Sequence, residues 1–244
     1  MLHEKKHGGQ ITVDRPRSLV AFIARNQNEH IDMDYFHVFW VFLVCSFVGL
    51  VVETLVSYPI DGVWKNRAGL VWGPLSPIYG VGGVLMTAGL HRFQYAKPIT
   101  VFLIAAFIGA SFEFLAGWFF ETAFGIVAWS YADQPFNLMG HTCLGIAIVW
   151  GLLGLVWTKV LMPDTFHLIN RIPQKARRPL TIILTAYIIL DVVMTLLCFN
   201  FWYARMTGQP ATNMIQAFFY SVFNDEFMAK RFQTMSIFSD LAKR

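Results

Sequence analysis

The chain has 244 residues, of which 56% are hydrophobic and only 14% charged, with a mean hydropathy of +0.50. A globular domain carries about 25% charged residues, so a soluble enzyme is excluded and a polytopic membrane protein is expected. The net charge of +4 would suggest nucleic acid in a soluble protein. Here it follows from basic loops on one side of a membrane, and no nucleic-acid partner is expected.

Residues 1–34 read as a polar, mixed-charge tail, and no cleavable signal peptide is expected in it. A first span is predicted from Tyr35 to Tyr58, ending before Pro59. The loop with Asn66 and Arg67 leads through Gly73-Pro74-Leu-Ser-Pro77-Ile-Tyr79-Gly80 into a second span reaching Leu90. Pro98 is placed to open a third span, which extends to about Val127. After the loop Trp129–Asn137, a fourth span covers 138–161, a basic loop follows over Pro163–Pro179, and a fifth span covers 180–203. Beyond it, apolar residues at Ile215, Phe218, Phe219, Val222 and Phe223 have the spacing of an amphipathic helix on the membrane surface. The expected fold is all-α: a membrane bundle of about five spans with that amphipathic helix at its C-terminal end. Its parts are the tail 1–34, the bundle 35–205 and the segment 206–244.

Gly49-Leu-Val-Val-Glu53-Thr54 is echoed by Gly117-Trp-Phe-Phe-Glu121-Thr122, and each is followed by Asn-x-x-Gly, at Asn66 and at Asn137. These strings imply a duplicated helical hairpin, about 35–92 and 98–162. Lys and Arg orient it: twelve lie in the tail, the second turn and the fourth connection, against two in the intervening loops, while five spans put the five of the C-terminal segment (Arg205, Lys230, Arg231, Lys243 and Arg244) on the side of those loops, against the trend. The N-terminus is therefore expected in the cytoplasm of a cell-membrane protein, and both hairpins start inside, so the repeat is parallel.

An acid inside an apolar span is costly and reads as a functional site. Glu53 and Glu121 fall at similar outer depths, and Gly109, Glu113, Gly117 and Glu121 form one face of the third span at intervals of four. The expected substrate-binding set is Glu53, Asn66, Arg67, Tyr79, Glu113, Glu121, Tyr131, Asn137 and His141, with Asp191 as a further mid-span acid. Glu53 and Glu121 are placed on opposite walls of one outer-leaflet pocket. The residues assign no catalytic group and imply no metal and no cofactor. Cys45, Cys143 and Cys198 lie in apolar runs without ligand spacing and read as packing residues.

Asn66-Arg67, the Gly-Pro-x-x-Pro-Ile-Tyr-Gly string, Glu113-x7-Glu121, Trp129-x-Tyr131 and Asn137-x-x-Gly140 resemble the bacterial CmpB-like family of ABC-transporter permeases over roughly residues 38–158. A basic residue often follows the second Asn-x-x-Gly in that family; His141 stands there in this chain. The resemblance implies transport, with a separate ATPase subunit as partner, for which the Pro163–Pro179 loop is the candidate contact surface. The chain itself has no Gly-x4-Gly-Lys-Ser/Thr phosphate loop. Three functions remain open from the residues: a permease subunit binding a small polar or cationic solute, an intramembrane enzyme acting on a lipid head group or lipid-linked substrate, and a structural or regulatory subunit in contact with membrane lipids. Single cysteines at positions 66 and 137 are expected to react with an impermeant thiol reagent in intact cells. Protection of either from outside would break the convergence of the two loops.

Overall fold

The structure, a computed structural model, describes residues 33–237. The expected polar tail, apart from Met33 and Asp34, and the end of the C-terminal segment lie outside the described residues.

Helix α1 (Tyr35–Asp61) starts where Asp34 accepts a hydrogen bond from the His37 amide at 2.8 Å. It runs past Pro59, contrary to the sequence expectation, because a proline in the last turn disturbs little of the helix behind it. The stop is Gly62, whose φ of 70° is left-handed and whose N–H returns to the Tyr58 carbonyl. Helix α2 (Pro77–Leu90) has 14 residues, about 21 Å at ~1.5 Å per residue, too short for a ~30 Å hydrocarbon core. Four helical stretches are long and apolar enough to cross: Tyr35–Pro59, Pro98–Phe124, Leu144–Asn170 and Gln174–Met206. The expected second span is a half-length helix.

The missing length is taken up by the 62–76 segment, which folds into the bundle. Ala68, Leu70, Val71, Leu75 and Ser76 are buried, and the Ser76 N–H bonds the carbonyl of Ser46 at 3.1 Å, well inside α1. Irregular backbone at that depth survives only where protein satisfies its polar groups. The Val71 N–H donates to Thr195 Oγ1 at 2.8 Å and the Trp72 N–H to Asp191 Oδ1 at 3.0 Å. The Leu70 and Gly73 carbonyls accept from the Arg231 guanidinium.

Helix α3 (Pro98–Phe124) buries Val101, Ala105, Gly109, Glu113 and Gly117, the face at intervals of four, and stops at left-handed Gly125. Strand β1 (Ile126–Val127) follows, then the hairpin β2 (Asn137–Leu138) and β3 (Thr142–Cys143), antiparallel with Asn137 opposite Cys143. The fourth span therefore starts at Leu144, later than expected, as α4 (Leu144–Val156). A π turn over Trp157–Leu161 joins it to α5 (Met162–Asn170). Pro163 has no N–H for the carbonyl four residues back, at Lys159, so the ladder widens just before it. The Lys159 ammonium caps the Gln94 and Ala96 carbonyls in the turn between α2 and α3.

The expected basic loop over Pro163–Pro179 is largely helix. Helix α6 (Gln174–Met206) begins just after Pro173, leaving residues 171–173 as the turn. Arg177 draws the two helices together, donating to the Asn170 carbonyl at 2.9 Å and the Ile172 carbonyl at 3.0 Å. The C-terminal segment is broken too: α7 (Met214–Val222) and α8 (Asp225–Arg231) replace one long helix, with Asn224 capping the second. Phe219, Phe223, Met228 and Phe232 bury themselves against Phe199 and Trp202 of α6 and against Val71 and Ile126. Met214, Ile215 and Phe218 stay exposed. Strand β4 (Ser236–Ile237) then pairs antiparallel with β1, Ile126 opposite Ile237.

Arg231 therefore ties the C-terminal strap to the inserted loop beside a fully buried Asp191, whose Oδ2 has no hydrogen-bond partner. Replacing Arg231 with Met removes its hydrogen bonds to the Leu70 and Gly73 carbonyls and a cation whose field acts on Asp191, which costs about 3 kcal/mol. Thermal unfolding should show the loss, hydrogen exchange should rise over 225–237, and adding Asp191→Asn should restore part of the stability.

Candidate functional site

Glycine and glutamate four residues apart lie on one helix face, one turn from each other. Where the glycine leaves room, a ring from the neighbouring helix can lie against the backbone and bring its polar atom to the carboxylate. This arrangement occurs at two places, and a loop histidine makes a looser version at a third. A Cβ on Gly49 would overlap the Tyr79 ring, and the Tyr79 hydroxyl is near enough to Glu53 to favour its carboxylate. A Cβ on Gly109 would overlap Trp150, whose Nε1–H donates to Glu113 Oε2 at 2.9 Å. Gly117 seats His141, whose Nε2 lies 3.6 Å from Glu121 Oε2, a looser approach that becomes an ion pair when the imidazole is protonated.

The loops complete two of these carboxylates. Arg67 Nη1 meets Glu53 Oε1 at 3.1 Å. The Tyr131 hydroxyl donates to Glu113 Oε1 at 2.8 Å, so each oxygen of Glu113 has a donor from a different element. Burial, reinforced by the Glu113 charge, pushes the Tyr131 phenol above its ordinary pKa, which keeps it a protonated donor. The asparagines serve their own loops. Asn66 Oδ1 accepts from the Ala68 N–H at 3.0 Å, and Asn137 Oδ1 accepts from the Gly140 N–H at 3.1 Å. Asn137 also donates to the Ala132 and Gln134 carbonyls.

A cavity of about 950 Å³ opens between α2, α3 and α4, with both loops and the 233–235 strap at its rim. Of the expected set, Glu53, Arg67, Tyr79, Glu113 and Tyr131 line it, while Asn66, Glu121, Asn137 and His141 do not. The carboxylates that share it are thus Glu53 and Glu113. Glu121 lies about two turns further along α3, with 41% of its side chain exposed, against 27% for Glu53. Asp191 also lies outside the lining, occupied with the Trp72 amide.

Sequence reasoning missed Trp150, Lys65 and Gln233, all of which line the cavity. Trp150 had a signal: an indole at mid-span in the fourth apolar run needs a partner for its N–H. Gln233, which accepts from the Asn66 amide at 2.7 Å, had none, because its neighbours are distant in sequence.

Helices long enough to cross a bilayer, a buried inserted loop and carboxylates held within the bundle define a multi-pass membrane protein. A family model described as "Putative ABC-transporter type IV", the CmpB family, matches residues 40–196, and the chain belongs to that family. Neither the curated proteins nor the solved structures gave a match.

Trp150→Phe keeps the ring over Gly109 but leaves Glu113 one donor short, which should lower stability by about 1–3 kcal/mol. Gly109→Val should cost at least as much, by overpacking against Trp150. Unfolding midpoints in a fixed detergent compare the two, and unchanged midpoints in both would contradict the clamp.

Proposed function

We propose that this chain is the membrane-embedded permease subunit of a transporter and takes a small polar or cationic solute between Glu53 and Glu113. The observation that carries the reading is that acids from two separate hairpins share one cavity in a membrane bundle. Intramembrane acids facing a cavity mark substrate paths, and sites built where helices are interrupted are common in transporters. Glu53 has Arg67 beside it, whereas Glu113 is held by two neutral donors and keeps its remaining lone pairs for a ligand. The asparagines, Glu121 and His141 hold the loops around the cavity in this reading.

With Lys and Arg concentrated at the N-terminal ends of α1 and α6 and in the α2–α3 turn, the positive-inside rule puts that face in the cytoplasm. The cavity then faces the outer leaflet. A separate ATPase subunit would meet the cytoplasmic face, where α5, the 171–173 turn and the 91–97 turn come together.

Solute uptake in cells that depend on this chain tests the reading. Glu113→Gln and Glu53→Gln should each cut flux about tenfold or more, the worth of one charge-assisted hydrogen bond, with membrane levels maintained. Normal flux in both variants, where deletion abolishes it, would remove the cavity from the transport path. An ATPase is expected to copurify from membranes with the full-length chain and to do so equally with both variants.

A further inference from the structure

The polar groups occupy one side of the cavity, and the other walls are apolar. Phe112, Leu115, Ala116 and Phe119 of α3 face Val81 of α2 and Ile146, Val149 and Leu153 of α4. Several of these are open to the outside of the bundle: Leu115 is 56% exposed, Leu153 48% and Phe119 47%. They sit inside the stretches long enough to cross the membrane, so the wall continues into the lipid-facing surface. The cavity is therefore open sideways, at hydrocarbon depth. At about 950 Å³ it is at the upper end of sites for drug-sized ligands, far larger than a small amine fills.

We infer that the occupant is a lipid-type amphiphile with an ammonium headgroup. Its headgroup pairs with Glu113, and its acyl chain lies along Leu115, Phe119, Val149 and Leu153. This rests on the proposed role of the cavity as a solute site and names the chemistry of that solute. Glu113 accounts for the cation, and the apolar wall is what selects an amphiphile over a water-soluble amine. Glu113 already accepts from Tyr131 and Trp150, one donor to each oxygen, and that arrangement suits a carboxylate with lone pairs left for a cation. The apolar wall gains about fourfold in affinity for each methylene laid against it, a gain a small amine does not collect. Entry is lateral, past the exposed side chains of Leu115, Phe119 and Leu153.

The test uses the full-length chain in nanodiscs of phosphatidylglycerol, doped with phosphatidylethanolamine carrying a photoreactive acyl chain. Labelling is expected on the 112–119 and 146–153 segments, competed by unlabelled phosphatidylethanolamine and, because it lacks the chain, by soluble phosphoethanolamine only at concentrations about a hundredfold higher or more. It should fall about tenfold in Glu113→Gln. Leu153→Trp, on the exposed wall, should block labelling while the protein still binds soluble phosphoethanolamine. Equal competition by phosphoethanolamine would overturn the amphiphile and leave the small-solute reading standing. Equal labelling by a phosphatidylglycerol probe would overturn the ammonium headgroup. Labelling unchanged in folded Glu113→Gln, with no phosphoethanolamine binding to the parent chain, would sink both readings.

Discussion

A carboxylate inside a membrane bundle has to be covered by donors, and here the cover comes from rings packed against glycines, two of which leave no room for a Cβ. Tyr79 over Gly49, Trp150 over Gly109 and His141 over Gly117 each bring a polar ring atom to the glutamate one turn further on. The same contact does two jobs. At Gly49 and Gly109 it sets the distance between the helices of a hairpin, since the ring fills the space a Cβ would occupy, and it brings a donor to the carboxylate. Hairpin packing and site geometry are therefore one constraint.

The inserted loop follows from that constraint. With Tyr79 seated on Gly49, α2 begins beside the middle of α1, and the chain must cross the remaining depth as irregular backbone. That backbone is tolerable because Thr195 and Asp191 take its amides and Arg231 takes its carbonyls. The second hairpin solves the same geometry differently. Its loop turns through β2 and β3, with Phe136 and Met139 at positive φ, and sets His141 beside Gly117. The strap that carries Arg231 also supplies β4 and part of the cavity rim, so the C-terminal segment completes the fold.

Much of this was legible from the residues. The face Gly109-Glu113-Gly117-Glu121 reads as one stripe, and it is buried as far as Gly117, while the Glu121 side chain at its end is partly exposed. What local pattern could not give was depth. A run from Pro77 to Leu90 looks like a span by hydropathy, and only its 14-residue length, set by where Tyr79 docks, makes it a half-helix. The basic stretch near Arg177 looks like a loop because of its prolines and charge, yet Pro179 is accommodated within α6 and Arg177 caps the preceding carbonyls. The likeness between Glu53 and Glu121 was real in the string, but Glu113 shares the cavity, because the Trp150 and Tyr131 that hold it arrive from elsewhere in the chain.

The most direct measurement is the indole N–H resonance of Trp150 in protein labelled with 15N-tryptophan. A ring clamped on Gly109 and donating to Glu113 predicts a downfield, slowly exchanging Nε1–H. In Gly109→Val and in Glu113→Leu the signal should move upfield and exchange quickly, while the other indoles stay in place. A Trp150 signal that exchanges freely in the parent chain, or that neither substitution moves, would contradict the clamp and the site built on it.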